Sequence, residues 1–492
     1  MTKSLYVCTA IPYVNGAPHV GHALDYLLAD TFFRYQSKKG NAIRFQAGTD
    51  EHGNKIFNKA KSLDIPVETY VAENAAKFRD FISGLNVHPT DFVRTTDPAH
   101  ERRCKLIWEK LRDHIYSSTY EGWYCSGCER FVTEKEDEEK HGVCPDHQTP
   151  YEHLSEKNYY LRIADFKDEI RQKIESGELN ILPEFRKKEV LNLLADSPDV
   201  SISRPKKNLT WGVPVPGDSD QVMYVWIDAL ANYITILGYP ESDISSVWPA
   251  NVQVVGKDIL RFHAIIWPAM LLGLGLPLPK VLLSHGFVNV DGQKMSKTIG
   301  NVVDPLDVLA RHGVDPFRYY FLRHIDTFAD SDFTWEKFES AYSTELANDL
   351  GNLVSRLTTL CSKNSVALSS DSIQSAQSSA LEDKAYTSLM DAFEFSKAFD
   401  YAWEKIQALN RRIDEEKPWS LAKTDSEAAK SSLSALALDL LSAAALLTSF
   451  LPDTSEKIIS VFSAPEILPP APLFPKPYKN SPKGEFFYLL VS

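Results

Sequence analysis

Two short polar strings, far apart in the chain, carry side chains that can hold phosphate groups. The first is His19-Val20-Gly21-His22, and the second, much later, is Lys294-Met295-Ser296-Lys297-Thr298. Imidazole rings one helical turn apart can hydrogen-bond phosphate oxygens, and two ammonium groups can neutralise the charge of a leaving pyrophosphate. Together the two strings predict chemistry on ATP.

A strand and a helix are predicted to position the first string. Residues 5–11 form an apolar run typical of a buried strand, and residues 12–18 contain turn-forming Pro, Asn and Gly. Apolar residues then recur at helical spacing, at Val20, Ala23, Leu24, Leu27, Leu28, Thr31 and Tyr35. His19 and His22 therefore begin a helix, where backbone N–H groups and the helix dipole favour an anion, and Gly21 allows a base or phosphate to approach closely.

Neither string is specific by itself. Two histidines in four residues also arise by chance or at an ordinary helix start, and two lysines in a polar loop are usually solvated surface. The order of the elements distinguishes this chain: a strand, a loop and the His pair, then a later strand and the Lys loop. This order resembles the class I aminoacyl-tRNA synthetases, whose two signatures the strings match with Val20 for the more usual Ile and Thr298 for the more usual Ser.

Further segments resemble the methionyl-tRNA synthetases in particular. They are residues 9–16, 48–53, 224–229 and 256–263. The resemblance runs from about residue 4 to about residue 460, which is nearly the whole chain. It implies a methionine-tRNA ligase that activates L-methionine with Mg²⁺-ATP to methionyl-adenylate and then transfers methionine to the 3′ end of tRNA(Met).

The resemblance also implies site residues. The catalytic set is His19, His22, Lys294 and Lys297. ATP binding is implied for His19, Gly21, His22, Lys257, Asp258, Lys294, Ser296 and Lys297. Methionine binding is implied for Ala10, Ile11, Tyr13, Asp50, Trp226, Ile259 and His263, with Asp50 holding the substrate ammonium group.

Residue spacing supports an apolar pocket among these residues. Trp226, Leu230 and Tyr233 share one helical face, and Ile259 and His263 share another. Tyr233 is therefore added to the methionine-binding set. A thioether gains roughly 0.3–1.5 kcal/mol against an aromatic ring, and Tyr or His can offer its sulfur a weak hydrogen bond. An aromatic stripe at helical spacing is more often core than pocket, and the resemblance is what favours the pocket here.

The reaction that the resemblance implies needs no enzyme nucleophile. The methionine carboxylate attacks the α-phosphate in line, so catalysis consists of positioning and electrostatic stabilisation. Two alternatives stay open. One is a class I synthetase for leucine, isoleucine or valine, which should carry a larger editing insert. The other is a non-catalytic tRNA-binding paralogue, which should have lost its phosphate-binding groups.

Three cysteines and one histidine have the spacing of a zinc knuckle. The pattern is Cys125-x2-Cys128-x15-Cys144-x2-His147, and His141 is a rival ligand without the two-residue spacing. Such a site can hold a short insert that cannot bury enough core to fold alone. Four protein ligands leave no open position, so the predicted Zn²⁺ is structural. A disulfide and a chance arrangement are the alternatives.

Composition is ordinary for a globular cytoplasmic enzyme of 492 residues, which should form two to four domains. A net charge of −13 argues against a general nucleic-acid binder, so tRNA binding requires locally basic surface. No secretory signal is visible, because Pro12 interrupts the first apolar run. The apolar stretch from Leu433 to Leu451 contains Asp439 and several Ser, which favours a bundle helix over a membrane span.

The fold class predicted is α/β: a doubly wound, Rossmann-like parallel sheet with an inserted zinc-knuckle connective domain and a C-terminal α-helical bundle. The first half of the catalytic domain covers residues 1–115, the insert 116–220, and the second half, with the Lys loop, 221–330. Residues 331–465 form the anticodon-binding bundle, and 466–492 a Pro-rich tail. Because no further domain follows the tail, a monomer is expected.

In the family, the helical bundle reads the anticodon. The resemblance places anticodon contacts at Asn352, Arg356 and Trp419. Asn352 and Arg356 stand at positions i and i+4 of a predicted helix, and Trp419 follows Pro418 at a helix break. Amide, guanidinium and aromatic groups suit single-stranded RNA, whose bases stack on rings and hydrogen-bond along their edges.

Overall fold

The site region is organised by a six-stranded parallel sheet. We describe a computed structural model of the chain, which covers residues 4–125, 130–132, 137–138, 140–145, 148–290, 292–294 and 303–475. In spatial order the strands are β3 (Asp91–Arg94), β2 (Ile43–Thr49), β1 (Leu5–Thr9), β11 (Val252–Gly256), β12 (Val281–His285) and β7 (Asn180–Leu182). β1 and β11 are buried at almost every position, as expected for central parallel strands covered on both faces.

Helices cover both faces of this sheet. They are α1 (Ala23–Lys38), α2 (Asn54–Ser62), α3 (Val67–Gly84), α4 (Pro98–Lys110), α5 (Lys167–Glu175), α6 (Glu184–Asp196), α7 (Val225–Thr235), α8 (Trp267–Gly273), α9 (Pro305–His312) and α10 (Val314–Arg323). The helix predicted after the His pair is confirmed, because all seven periodic residues from Val20 to Tyr35 are buried. A second core, on the other face, contains Trp248 and Trp267.

Shorter turns and strands complete this half of the chain. The 3₁₀ turns are Val20–His22, Arg112–His114 and Ile163–Asp165, and a π-helical turn spans Phe262–Ile266. An antiparallel sheet has the order β5 (Arg130–Val132), β4 (Ile115–Cys125), β6 (Glu152–Leu161) and β8 (Val200–Ser201). Two small sheets are formed by β9 (Ser203–Pro205) with β10 (Gln221–Met223), and by β13 (Val288–Val290), β14 (Gln293–Lys294) and β15 (Ser331–Phe333).

The predicted insert, residues 116–220, is not wholly separate from the parallel sheet. Its strand β7 pairs with β12, Leu182 lying opposite Leu283. β7 contains only three residues, so it carries no periodic signal that a sequence could reveal. The insert therefore returns to the catalytic sheet before the second half of that sheet begins.

The C-terminal part is a helical bundle, as predicted. It contains α11 (Trp335–Ala341), a π-helical segment (Tyr342–Gly351), α12 (Asn352–Lys363), α13 (Ser370–Leu381), α14 (Lys384–Asp391), α15 (Phe395–Glu416), α16 (Pro418–Leu421), α17 (Ser426–Leu447) and α18 (Pro452–Phe462). Among the described residues, α17 alone is long and apolar enough to cross a membrane. It packs instead against α13, α15 and α18, so the predicted core helix is confirmed.

A fully buried arginine joins the catalytic sheet to the bundle. Arg318, on α10, lies with its Nη2 2.7 Å from the carboxylate of Asp30 on α1. The same guanidinium donates to the carbonyls of Leu85, Ser449 and Phe450 at 2.7–3.2 Å. Since a buried charge is costly without partners, this set of contacts requires α1, α3 and the bundle to stay together.

Replacing Arg318 by Met should destabilise the protein by about 3–5 kcal/mol, because Asp30 and three carbonyls lose a buried partner. The free energy of unfolding in urea measures the effect. The matched control is Arg102→Ala, which breaks an exposed pair with Glu241 and should change the midpoint little. Equal stability of the two variants would contradict the assigned importance of Arg318.

Candidate active site

The candidate site lies where the strand order of the parallel sheet reverses. β1 and β11 are neighbours, and their connections leave in opposite directions, so a crevice forms at their carboxyl ends. Ala10, Ile11 and Tyr13 follow β1 directly, and Asp50 follows β2. Lys257, Asp258 and Ile259 follow β11. The topology thus brings residues predicted for amino-acid and ATP binding to the same edge of the sheet.

The two histidines of the first string form a reciprocal cap. His19 is extended and precedes the 3₁₀ turn, and its Nδ1 accepts from the N–H of Gly21 at 3.1 Å. The backbone N–H of His19 donates to Nδ1 of His22 at 3.1 Å, and the ring centroids are 3.9 Å apart. Each neutral ring therefore carries its proton on Nε2, the tautomer that can donate to a phosphate oxygen.

This cap changes one detail of the prediction. The sequence suggested that backbone N–H groups at the helix start would bind the anion. In the structure the N–H groups of His19 and Gly21 are already bonded to the two rings. The Nε2 positions of His19 and His22, together with the helix dipole, are what the site presents to an anion.

The described residues that flank the Lys loop are Lys294 and Val303. Lys294 ends β14, which pairs antiparallel with β13. The described chain resumes at Val303, whose carbonyl accepts from the N–H of Val20 at 3.5 Å. Ser296 and Lys297 lie outside the described residues. The Val303 end of the loop is therefore near the candidate phosphate-binding histidines.

Aromatic side chains pack together where the sequence predicts the wall of an amino-acid pocket. Trp226 stacks on Phe262 with centroids 3.8 Å apart, and His263 meets Trp226 edge-on at 6.2 Å. Ala10, Trp226 and Ile259 pack against the same core cluster. Leu230, which shares a helix face with Trp226, is fully buried in that core. Spacing therefore predicted the shared face correctly.

His263 is a neutral part of this wall. Its Nδ1 donates to the carbonyl of Ile259 at 3.0 Å, and its Nε2 accepts from the hydroxyl of Tyr233 at 2.8 Å. Burial lowers the pKa of His263 to about 4, so the ring is uncharged at neutral pH. Because both ring nitrogens have protein partners, His263 can meet a ligand through its carbon edge rather than by the hydrogen bond that the sequence suggested.

Asp50 is positioned by backbone pairing. Its N–H donates to the carbonyl of Pro12 at 2.9 Å, and its carbonyl accepts from the N–H of Val14 at 3.2 Å. Asp50 thus stands opposite Tyr13, and its side chain is buried. A buried carboxylate at this edge of the sheet suits a primary ammonium group.

Three charged or titratable residues at this edge, Asp330, His285 and Asp25, were not predicted from the sequence. Lys257 Nζ lies 2.7 Å from Asp330, a partner that follows much later in the chain. His285, at the end of β12, lies 2.9 Å from the carboxylate of Asp25 on α1. Burial opposes protonation of His285, but the Asp25 carboxylate outweighs it and raises the pKa. Only their positions at strand and helix ends could have indicated these residues.

Two of the four predicted zinc ligands, Cys125 and Cys144, are among the described residues. Cys125 ends β4, and Cys144 lies in a tight turn closed by hydrogen bonds from Cys144 to Thr149 and from Gln148 to Cys144. Both cysteines are buried in one small cluster with Val132 and Tyr151. Cys128 and His147 lie outside the described residues.

The predicted anticodon residues lie close together in the bundle. Asn352 and Arg356 are one turn apart on α12. The Arg356 guanidinium lies 5.8 Å from the ring centroid of Trp419 and pairs with Asp414 at 2.7 Å. Trp419 is the second residue of α16, which follows the left-handed residue Lys417, and it is 38% exposed. An arginine and an open aromatic face are thus presented side by side.

Family comparisons agree with both halves of the structure. A family model described as tRNA synthetases class I (M) matches residues 5–154 and 147–358. A second, described as the anticodon binding domain of methionyl tRNA ligase, matches residues 370–473. The chain belongs to the methionyl-tRNA synthetases. These matches exclude the alternative of a class I synthetase for leucine, isoleucine or valine.

Relatives support the same family over nearly the full length of this chain. The methionine–tRNA ligase of Rickettsia bellii is 35% identical over 514 residues, which cover 97% of this chain and 99% of the relative. That of Bacillus subtilis is 39% identical, covering 93% of this chain and 72% of the relative. A Mycobacterium tuberculosis methionyl-tRNA synthetase in complex with methionyl-adenylate superposes with a TM-score of 0.85 at 33% identity, covering 93% and 94% of the two chains. The predicted family, parallel-sheet fold and enzyme class are confirmed.

Two substitutions at His22 separate phosphate binding from helix capping. His22→Asn keeps a polar atom near Nδ1 but removes the donor at Nε2, whereas His22→Gln keeps a donor near Nε2. Methionine-dependent exchange of pyrophosphate into ATP should fall about a hundredfold in His22→Asn, the typical loss for one transition-state donor, and less in His22→Gln.

The reverse ranking would assign His22 to capping alone. Thermal unfolding of both variants serves as the control, because lost capping lowers stability by only about 1 kcal/mol.

Proposed function

We propose that this chain joins L-methionine to tRNA(Met) at the expense of ATP, serving both initiation and elongation of protein synthesis. Methionine is first activated to methionyl-adenylate with release of pyrophosphate, and is then transferred to the 3′ end of the tRNA. The observation that carries the proposal is the crevice between β1 and β11. There the two histidines, each accepting at Nδ1 and so carrying a proton on Nε2, lie at the same sheet edge as aromatic side chains that include the neutral His263.

The ATP side of the site is assigned to the two signature strings. His19 and His22 donate from Nε2 to phosphate oxygens, and Lys294 and Lys297 neutralise the leaving pyrophosphate. Gly21, Lys257, Asp258 and Ser296 complete the ATP-binding set. Mg²⁺ bound with ATP supplies further charge neutralisation at the phosphates. No nucleophile of the chain is required, because the substrate carboxylate itself attacks phosphorus.

The methionine side is assigned to the aromatic wall and the loop after β2. Asp50 pairs with the ammonium group of the substrate. The thioether lies among Ala10, Ile11, Tyr13, Trp226, Tyr233, Ile259 and His263. A neutral His263 suits this role, since a charged ring would make an apolar side chain costly to bury beside it.

Amino-acid-dependent exchange of labelled pyrophosphate into ATP, without tRNA, tests the function directly. We expect exchange with methionine and none with leucine, isoleucine or valine. Exchange with another amino acid would overturn the pocket assignment. No exchange with any of the four would favour the second candidate, a non-catalytic tRNA-binding paralogue.

We further propose that Cys125, Cys128, Cys144 and His147 hold one structural Zn²⁺. The burial of Cys125 and Cys144 in one cluster supports this, because thiolates buried together need a cation. With four protein ligands the ion would take no part in the reaction and would hold the turn around Cys144 against β4. The three other cysteines, Cys8, Cys104 and Cys361, are buried, as expected for free thiols.

Cys144→Ser should reduce the zinc content from about one ion per chain, because a Ser hydroxyl is a poor zinc ligand. Elemental analysis after dialysis measures this content. Cys361→Ala removes a buried thiol in the bundle and should leave the zinc unchanged. Full zinc retention in Cys144→Ser would contradict the proposed ligand set.

Asn352, Arg356 and Trp419 are proposed to contact the tRNA anticodon. Their proximity on α12 and α16 supports this, since a base can stack on the Trp419 ring while the amide and guanidinium groups reach its edge. The division of the chain at residues 115, 220, 330 and 465 stays a prediction. So do the cytoplasmic location and the monomeric state.

Trp419→Ala should lower kcat/KM for aminoacylation of tRNA about tenfold or more, the usual effect of losing one stacking platform. Methionine-dependent pyrophosphate exchange, which needs no tRNA, should be unchanged. Leu468→Ala, another exposed apolar truncation in the C-terminal part, is the control and should alter neither assay. Loss of both activities in Trp419→Ala would instead indicate a damaged fold.

A further inference from the structure

A buried polar chain crosses the core behind the candidate methionine pocket. Asp228 on α7 lies at its centre, with Oδ2 2.6 Å from Nδ1 of His52 and Oδ1 2.8 Å from Nε2 of His100. His100, on α4, extends the chain through its Nδ1 to the hydroxyl of Thr235 at 2.7 Å. All four residues are at most 3% exposed.

This hydrogen-bonded chain of side chains connects the two segments that are proposed to form opposite sides of the methionine pocket. His52 lies in the loop after β2, two residues beyond Asp50. Asp228 lies on α7, two residues beyond Trp226, and Thr235 ends the same helix. A parallel link between β2 and α7 runs from Gln46 to Asn232 at 2.8 Å. The position of α7 relative to the Asp50 loop thus depends on buried polar contacts.

Within this set of hydrogen-bonded side chains, His52 and Asp228 form a buried ion pair. Burial opposes protonation of His52, but the Asp228 carboxylate outweighs it and raises the pKa of His52 to about 10. Burial likewise opposes ionisation of Asp228, yet the His52 charge and the hydrogen bonds from His100 and His52 lower its pKa. A carboxylate in this environment needs a donor on each oxygen, and His100 supplies the second.

We propose that His100 is a positioning residue that holds Asp228, and through it α7, at a fixed distance from the Asp50 loop. This inference rests on the proposed function, because the two elements are the proposed walls of the methionine pocket. Loss of the His100 donor leaves Oδ1 of Asp228 with only the long contact from the Cys104 thiol, at 3.8 Å, in the core. The carboxylate and α7 then shift, and Trp226 moves relative to Asp50.

A metal ion is the competing explanation. His100, Cys104 and Asp228 offer ligand atoms that all lie within 4.8 Å of one another. However, Nε2 of His100 and Oδ1 of Asp228 are at hydrogen-bond distance, and the other oxygen of Asp228 is committed to His52. The hydrogen bonds from His52 and His100 give each oxygen of Asp228 a donor without an ion, and the Cys104 thiol adds a longer contact to Oδ1 at 3.8 Å.

The test compares four variants in methionine-dependent pyrophosphate exchange. His100→Leu should raise KM for methionine about ten- to hundredfold, the usual effect of losing one hydrogen bond to a buried charge, with KM for ATP within about twofold of wild type. His100→Gln, whose amide can donate near the Nε2 position, should restore most of the loss. Thr235→Val, which removes only the outer hydrogen bond, should raise KM for methionine severalfold. If His100→Leu fails to fold, Thr235→Val tests the inference in its place.

Cys104→Ala is the matched control. It deletes the third potential metal ligand and the thiol contacts to Nε2 of His100 at 3.2 Å and Oδ1 of Asp228 at 3.8 Å, but it keeps the hydrogen bonds that run from His52 to Thr235. Both KM values should therefore be unchanged. An unchanged methionine KM in His100→Leu, or an equal rise for both substrates, would overturn the inference. So would a second metal ion in the wild type that His100→Leu and Cys104→Ala both lose. A wild type without methionine-dependent exchange would refute the proposed function itself.

Discussion

Parallel pairing of β1 with β11 is the constraint on which the rest of the structure depends. The connection after β1 leads to β2, and the connection after β11 leads in the opposite direction, to β12. The carboxyl ends of β1 and β11 therefore open into one crevice. The apolar runs of residues 5–9 and 252–256 enforce the pairing, because both are buried on two faces. The His pair, the aromatic wall and the loop after β2 acquire their relation to one another only through this sheet.

Three histidines near the crevice show how environment sets the charge of one residue type. His263 is buried among aromatic rings and stays neutral, which suits an apolar ligand. His52 and His285 are just as buried, but each faces a carboxylate that raises its pKa. His52 is thereby tied into the core behind the candidate pocket, whereas His285 is paired with Asp25 at the end of β12. A net charge of −13 over the chain conceals these local differences.

Sequence reasoning succeeded where the deciding contacts are close along the chain. The helix after His19, the face shared by Trp226 and Tyr233, and the Asn352–Arg356 pair all follow from helical spacing. It failed where partners are remote or elements very short. The His52–Asp228 pair spans 176 positions, and β7 has three residues. No local pattern encodes such contacts, because their partners are selected by tertiary packing. Assignments on residues 295–302 and on Cys128 and His147 stay predictions.

The buried guanidinium of Arg318 has a practical consequence for dissecting the protein. Its acceptors come from α1, from the end of α3 and from the turn before α18. The parts of the chain before and after residue 330 are therefore not independent structural units. A catalytic fragment ending there would keep the arginine but lose two of its carbonyl partners, and would uncover the apolar surface that α10 now shares with α15. Fragment studies should therefore retain the bundle, and hybrid enzymes built by exchanging bundles need matching Ser449 and Phe450 turns.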